Sequence, residues 1–278
     1  MRQPRLANRS LVGHCQCVLR WFEHRQVYVP SRKMEARPAE LGRPFEEVTL
    51  TAGDGVRLHA WFFPARPVSP RGHLAFLLCH GNAGNISHRL GFYRAWLELG
   101  VSVFAFDYRG YGRSEGKPTE EGTYRDAQAA AQWLRTRGLA PENIIVIGKS
   151  LGGGVAAELA LRETVGGLIL QSTFTSIGDI GAELFPWLPV RRLHRIHYNT
   201  VHKLPRIHVP VLVAHSRGDD LIGFDHAERN YAAANQPNSL LEIGGGHVDV
   251  LEADRLGYLR GLDQFLTTHF NHAPAAKS

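Results

Sequence analysis

Five consecutive residues of this 278-residue chain have a pattern typical of nucleophilic catalysis. Residues 148–152 read G-K-S-L-G, the apolar run IIVIG leads into them, and a helical pattern begins at Ser150. A sharp turn between a strand and a helix exposes a serine hydroxyl above the edge of a sheet, and such a turn requires small neighbours. The pattern predicts Ser150 as a nucleophile. The alternative is a glycine-rich helix start selected for packing or anion contact.

A serine hydroxyl reacts only when a base removes its proton and a third group orients that base. Two later loops, each directly after an apolar run, supply candidates: His247 in GGGHVD after SLLEI, and Asp219 in HSRGDD after PVLVAH. Asp220 shares the second loop and could also face the imidazole, although its spacing from the strand is less favourable. With 15 histidines in the chain, a satisfied surface histidine is the alternative for His247. The expected triad is Ser150, Asp219 and His247.

Acyl transfer also needs N–H donors directed at the oxygen that becomes negative in the tetrahedral intermediate. The segment HGNAGN at 80–85 follows an apolar run and could supply one donor. We predict an oxyanion hole formed by the backbone N–H groups of Asn82 and Leu151. The alternative is a plain strand-to-helix turn.

The elements that would position these residues alternate between apolar strands and helices. An Asp-Gly pair between FEEVTLTA and VRLHAWFF is typical of a hairpin, so the fold begins with antiparallel strands. Continuous apolar strands are buried on both faces, which predicts the α/β class with a mostly parallel sheet covered by helices on both sides. The later strands are predicted at 73–80, 101–108, 144–148, 167–172, 210–215 and 239–243.

Charge and proline content divide the sequence into three predicted parts. Residues 1–44 form a basic N-terminal arm with one short helix near 11–25, residues 45–270 form the catalytic domain, and residues 271–278 form a tail. The arm carries most of the excess positive charge of the chain, whose net charge is +6, and could contact anionic lipid. Basic and aromatic residues do not alternate as in a nucleic-acid module, so we expect no nucleic-acid partner.

The sequence also bears on location and on bound groups. No apolar run approaches the ~20 residues of a membrane-spanning helix, and no secretory signal is predicted; we expect a cytoplasmic protein with peripheral membrane contact through the arm. His194, His197, His202 and His208 lack accompanying cysteines or carboxylates, which argues against a metal site. The loop DYRGYGRSEG lacks the phosphate-binding pattern of a P-loop and is interpreted as structural. No cofactor is expected.

Six segments, in this order, resemble the small-lid branch of the α/β-hydrolases, which includes protein depalmitoylases, their microbial relatives and serine aminopeptidase-like domains. They are LLCHGNAGNISHR, FDYRGYGRSEG, IGKSLGG, LQSTFTSI, PVLVAHSRGDD and GGGHVD. The resemblance implies an eight-stranded sheet, Ser150 as nucleophile, His247 as base and Asp219 as the acid. The chain departs from the family at Ser216 and Gly223, where relatives often carry glycine and proline, and it lacks the hydrophobic N-terminal anchor of many relatives.

The lid implied by this resemblance is short, since only about 30 residues separate LQSTFTSI from PVLVAH. Phe174, Phe185 and Trp187 are predicted to border an acyl chain, or else to pack on the sheet. We expect hydrolysis of a carboxylic ester or thioester of an acylated or small-molecule substrate through an acyl-enzyme. The alternatives are an amidase or aminopeptidase-like activity on the same triad, and a catalytically silent hydrolase fold that serves as a binding protein.

Overall fold

A computed structural model of the protein describes residues 18–270. The strands are β1 (Val29–Pro30), β2 (Glu46–Thr51), β3 (Arg57–Phe63), β4 (Ala75–Cys79), β5 (Ala83–Gly84), β6 (Ser102–Phe106), β7 (Ile144–Lys149), β8 (Gly167–Gln171), β9 (Val211–Ser216) and β10 (Asn238–Ile243). The α-helices are α1 (18–27), α2 (Leu90–Glu98), α3 (Glu120–Thr136), α4 (Leu151–Arg162), α5 (Ile177–Leu184), α6 (Val190–Leu193), α7 (Thr200–Lys203), α8 (Phe224–Ala233) and α9 (Val250–Phe270). Single 3₁₀ turns cover Pro38–Leu41, Ile86–Arg89, Pro141–Asn143 and Leu204–Arg206.

Eight strands form one sheet in the order β10-β9-β8-β7-β4-β6-β3-β2. Strand β3 runs antiparallel to β2 and β6, and every other neighbouring pair is parallel. The mostly parallel, eight-stranded sheet that the sequence predicts is therefore confirmed. Strands β1 and β5 pair separately in a two-residue parallel ladder, which the sequence analysis did not predict.

Helices cover both faces of the sheet because the central strands are apolar on both sides. Alternate residues of β7 show this: Ile145 and Ile147 pack in the core under α2 and α9, whereas Ile144 and Val146 pack in the core under α3 and α4. Every residue of β4, β6, β7, β8 and β9 is buried. The carboxyl ends of the parallel strands meet at one edge, where ligands bind in open α/β sheets.

The N-terminal segment makes contacts with the rest of the chain. Its described part, residues 18–44, packs on the body: the hydroxyls of Tyr28 and Tyr198 lie 3.0 Å apart, and the N–H of Val29 donates to the carbonyl of Asn82 at 3.0 Å. Apolar residues spaced among the arginines of this segment therefore pack against the domain. Residues 1–17, which include the start of the predicted helix, and the predicted tail, 271–278, lie outside the described residues.

The helices within residues 18–270 differ in length and in apolar content. None of them is both long enough and apolar enough to cross a membrane. The longest, α9, carries non-helical backbone at Asp254.

Candidate active site

The turn between β7 and α4 holds Ser150 in a backbone conformation that L residues seldom adopt, with φ +52° and ψ −121°. Close packing requires the flanking glycines. A Cβ on Gly152 would lie 1.9 Å from the carbonyl oxygen of Cys79, and a Cβ on Gly148 would lie 2.5 Å from the carbonyl oxygen of Gly152. The turn places Ser150 directly after β7, at the carboxyl edge of the sheet.

His247 lies between Ser150 and Asp219. Its Nδ1 is 2.8 Å from Oδ2 of Asp219, and its Nε2 is 3.2 Å from Oγ of Ser150. An ionised carboxylate only accepts hydrogen bonds, so Nδ1 carries the proton and donates it. In the neutral imidazole, Nε2 then presents a lone pair to the Ser150 hydroxyl. The structure therefore brings the three candidate residues together, with the ring in the tautomer that a general base requires.

Several N–H groups hold the buried carboxylate of Asp219. The N–H groups of Leu221 and Ile222 donate to Oδ1 at 3.0 and 2.8 Å, and Nε2 of His215, which lies 2.9 Å from the carbonyl oxygen of Ile222, is also 3.4 Å from Oδ2. Burial by itself would raise the pKa of Asp219, but the hydrogen bonds from His215, His247 and the backbone hold this pKa well below its ordinary value. Asp219 is therefore ionised at neutral pH. The sequence analysis assigned no role to His215.

The neighbouring carboxylate is placed differently. Asp220 is exposed, and its side chain makes no hydrogen bond within residues 18–270. The geometry thus favours Asp219 as the partner of His247.

Ser216, one of the two departures from the family pattern, donates from Oγ to the carbonyl of Gly245. Since Gly245 belongs to the loop of His247, Ser216 links the two loops that carry the acid and the base.

Lys149 is a component of the site that the sequence analysis missed. Its Nζ donates to the carbonyl of His247 at 2.9 Å and lies 5.3 Å from the ring centroid of Phe92. Burial of the ammonium, together with the positive charge of Arg89, lowers the pKa of Lys149 to about 8. Lys149 occupies a variable position of G-x-S-x-G, so the motif itself assigns it no function.

Of the two predicted oxyanion donors, Leu151 directly follows Ser150 in the chain, and Asn82 lies in the loop between β4 and β5. Leu151 is the first residue of α4, where an N–H has no intrahelical acceptor. The carbonyl of Asn82 accepts from the N–H of Val29 at 3.0 Å and from the hydroxyl of Tyr111 at 2.8 Å, which fixes the loop at this residue. Within the described residues, neither the N–H of Asn82 nor that of Leu151 is engaged in a hydrogen bond. Both remain available to a ligand.

An apolar cavity of about 400 Å³ opens beside Ser150. Asn82 and Leu151 line it on the side of the sheet, and helices α1, α5 and α6 supply the opposite walls. Glu23 is the single carboxylate among the described lining residues, and its Oε1 already accepts the N–H groups of Arg195 and Ile196 at 2.7 and 2.9 Å. The shape and chemistry of the cavity suit an aliphatic chain better than a charged group. The apolar lining residues are Leu19, Phe22, Val27, Val29, Leu151, Phe174, Ile177, Ile180, Leu184, Phe185, Leu188, Val190, Leu193, Leu221 and Ile222.

The three residues predicted to border an acyl chain have different positions. Phe174 and Phe185 line the cavity, whereas Trp187 does not: its side chain is 76% exposed, and its ring centroid lies 6.2 Å from that of Phe185. Trp187 stands between two prolines in the turn from α5 to α6, which directs it outward. Phe22 of α1 takes the inner position instead, with its ring centroid 5.8 Å from that of Phe185. The contribution of α1 to the cavity wall could have been predicted from the spacing of the apolar residues within residues 18–27.

The lid, residues 177–197, is anchored to α8 by polar contacts. Nδ1 of His226 accepts the N–H of Thr175 at 3.0 Å, and its Nε2 donates to Glu183 at 3.0 Å. Glu183, Asp225 and His226 place three potential ligand atoms within 4.8 Å of one another. Because both nitrogens of His226 are already used, this cluster fits a structural anchor for the lid better than a metal site.

The loop 107–116 supports the site from below. Oδ1 of the buried Asp107 accepts the N–H of Ile86 at 2.9 Å, and Arg113 pairs with Glu47 at 3.4 Å on the surface. Together with the bond from Tyr111 to Asn82, these contacts agree with a structural role for the loop.

Comparisons with known proteins place this site in context. The family model described as alpha/beta hydrolase fold matches residues 75–193. The uncharacterized protein Rv2307c of Mycobacterium tuberculosis is 37% identical over 267 residues, covering 95% of this chain and 94% of that protein. The alpha/beta hydrolase domain-containing protein WAV2 of Arabidopsis thaliana is 37% identical, covering 82% of each. Among solved structures, the Pyrococcus furiosus esterase Pf2001 is similar with a TM-score of 0.72 and 22% identity over 87% of this chain and 99% of that chain, a likeness that concerns the fold alone.

Proposed function

The chain belongs to the α/β-hydrolase family, and on that premise we propose that it is a serine hydrolase that cleaves a carboxylic ester or thioester of an aliphatic acyl chain. The observation that carries the proposal is the lone pair of His247 Nε2, which faces the hydroxyl of Ser150 at 3.2 Å beside an apolar cavity. An activated hydroxyl next to an apolar cavity combines the nucleophile and the acyl site of such an enzyme.

In the proposed mechanism, Ser150 Oγ attacks the acyl carbonyl carbon while His247 Nε2 takes the hydroxyl proton. Asp219 stabilises the resulting imidazolium through its hydrogen bond to Nδ1. The N–H groups of Asn82 and Leu151 stabilise the oxyanion, which then collapses as His247 returns the proton to the leaving alcohol or thiol. Water activated by His247 attacks the acyl-enzyme, and Ser150 is released with the free acid.

The lining of the cavity supports an ester or thioester over a peptide amine. An aminopeptidase must hold the charged α-amino group of its substrate, which requires a free carboxylate near the nucleophile. Glu23 is the single candidate among the described lining residues, and backbone N–H groups of the lid already occupy one of its oxygens. An acyl chain, in contrast, needs only the apolar walls.

The proposal is tested by covalent labelling with a fluorophosphonate probe. We expect the wild-type chain to be labelled and both Ser150→Ala and His247→Ala to lose labelling, because the probe reacts only with an activated serine. His208→Ala is a matched control, since His208 is exposed and precedes β9 at the opposite edge of the sheet. It should label like the wild type.

A second measurement compares the hydrolysis of p-nitrophenyl esters, acyl thioesters and amino-acid anilides by the wild-type chain. Turnover of esters or thioesters with little turnover of anilides supports the proposal. A labelled enzyme that cleaves only anilides would indicate an amidase on the same triad. A folded wild-type chain that is neither labelled nor active would indicate a silent hydrolase fold.

A further inference from the structure

Exposed apolar side chains are concentrated around the opening of the cavity. Eight of the eleven exposed large apolar side chains within residues 18–270 belong to α1, β1, the lid or the loops of Asp219 and His247. These eight, here called the mouth residues, are Val18, Trp21, Val29, Leu184, Trp187, Leu193, Leu221 and Val248. A soluble protein seldom exposes so many large apolar groups around one opening unless a partner covers them.

Aromatic contacts run from this surface into the cavity. The ring centroid of Trp187 lies 6.2 Å from that of Phe185, which lies 5.8 Å from that of Phe22. Trp21, the neighbour of Phe22 in α1, is 59% exposed, whereas Phe22 lines the cavity. The outer apolar surface is therefore continuous with the inner apolar wall. A chain that enters between α1 and the lid would stay in apolar surroundings on its way to Ser150.

The charged side chains of α1 and the lid are predominantly positive, whereas the exposed carboxylates of Asp220 and Asp249 lie beside Leu221 and Val248. The carboxylates of α1 and the lid already have protein partners: Glu23 accepts backbone N–H groups, Asp179 pairs with Arg229 at 2.7 Å, and Glu183 pairs with His226 at 3.0 Å. In addition, Cζ of Arg25 lies 4.9 Å from the ring centroid of Trp21. Residues 1–17 add three arginines and no acidic residue. The arginines of α1 and the lid are Arg20, Arg25, Arg191, Arg192 and Arg195, all exposed; of these, Arg191 also pairs with Asp179, at 3.1 Å.

We propose that the mouth residues form a docking surface for an anionic lipid membrane, from which an acyl chain passes directly into the cavity. Tryptophan side chains beside arginines suit the boundary between acyl chains and anionic headgroups, where the ring is buried and the guanidinium stays with phosphate. A membrane also supplies the long aliphatic chain that the cavity fits. Docking does not depend on catalysis; the delivery of a substrate rests on the proposed function.

Docking is tested with the full-length Ser150→Ala chain, so that turnover cannot affect binding. Co-sedimentation is measured with vesicles of phosphatidylcholine, with and without phosphatidylserine. We expect tighter binding to the anionic vesicles, and a loss of about tenfold in partition coefficient on adding either Trp21→Ser or Trp187→Ser, since each removes one large apolar group from the interface. Val68→Ser is the matched control, because Val68 is 91% exposed and lies before β4, away from the mouth residues; it should bind like its parent.

Two outcomes would overturn docking: no binding to either vesicle, or equal binding by all variants. If binding is equal and high salt abolishes it, membrane contact is due to charge alone. Sedimentation velocity distinguishes a lipid partner from a second copy of the chain. A dimer that Trp21→Ser dissociates, without vesicle binding, would make the surface a protein interface and overturn the proposal.

Delivery is tested with the active enzyme. We expect Trp21→Ser to lower hydrolysis of an acyl ester embedded in anionic vesicles about tenfold, in line with the lost partitioning, and to leave hydrolysis of a soluble short-chain ester unchanged. An equal loss on both substrates would overturn the delivery step. A wild-type enzyme without activity on any ester or thioester would refute the proposed function, whereas the vesicle measurements would still decide docking.

Discussion

The two ends of the cavity are built in different ways. At the polar end, Ser150, Asp219 and His247 each follow a strand of the main sheet. The carboxylate of Asp219 by itself accepts several hydrogen bonds. At the apolar end, short helices supply most of the wall, and several of their side chains are partly exposed. The position of the candidate triad is thus set by the core, while the apolar part of the cavity is formed by peripheral helices that can change without disturbing the sheet. We expect substitutions at the polar end to impair turnover and substitutions at the apolar end to alter substrate preference.

The largest effect is expected from Asp219→Asn. The neutral amide carries no negative charge to stabilise the imidazolium of His247. It also no longer fixes the tautomer of His247 in which Nδ1 carries the proton. A decrease of about 10⁴-fold in kcat is expected from triads of this kind. Ester hydrolysis under saturating substrate measures it.

Asp220→Asn is the matched control in the same loop. Asp220 is exposed and forms no hydrogen bond with His247. The kcat of the Asp220→Asn enzyme should therefore stay within about twofold of the wild-type value, as for most surface substitutions. Similar losses in the two variants would contradict the assignment of Asp219 as the acid.

A smaller loss of activity is expected from Lys149→Met. The substitution keeps most of the side-chain volume but removes the hydrogen bond to the carbonyl of His247, so kcat should fall by about 10- to 100-fold, the range for a hydrogen bond to a charged group. Since the pKa of Lys149 is about 8, the wild-type enzyme should lose activity as the pH rises through that value. The Lys149→Met profile should lack this alkaline decrease.

The free energy of unfolding should rise with pH over the range in which the activity falls. The unfolded chain keeps the lysine proton up to about 10.5, whereas the folded chain releases it near 8. Between these values the unfolded state binds more protons, so this group makes the free energy of unfolding rise with pH. Denaturant unfolding across this window measures the rise, which Lys149→Met should remove. If both pH responses survive in Lys149→Met, another group causes them.

The apolar end is tested most directly by Phe22→Ala. Removal of a ring from the wall should lower kcat/KM for a long-chain ester about tenfold, because a few lost methylene contacts have this effect, while acetate esters should react as before. A panel of esters of increasing acyl length measures the change in preference. A uniform loss at every length would indicate that α1 positions the reacting groups and would remove the distinction between the two ends.

The same division explains what could be predicted from the sequence. The strands of the polar end are continuous apolar runs, and the reacting residues follow them, so Ser150, Asp219 and His247 could be located by position along the chain. Lys149 could not, because its role depends on a contact with a loop 98 residues away. His215 lies inside a buried strand, where nothing in the sequence separates a functional histidine from one that only packs.

The apolar end was harder to predict because its elements are short and carry mixed charge. Phe185 and Trp187 are separated by one residue, yet one lines the cavity and the other is exposed, since the turn that holds them decides their direction. Helix α1 was assigned to an arm because its arginines obscured the apolar positions. Local composition therefore indicated a separate segment where tertiary packing forms part of the site.

Phe22 of α1 packs against Phe185 of the lid although the two residues lie far apart along the chain, and this separation has a consequence for synthesis on the ribosome. Helix α1 leaves the ribosome early, whereas the lid that covers Phe22 is translated much later. Until then, the apolar face of α1 has no native partner and is a candidate for chaperone binding or aggregation. The cavity is therefore completed late, after much of the sheet beneath it has been translated.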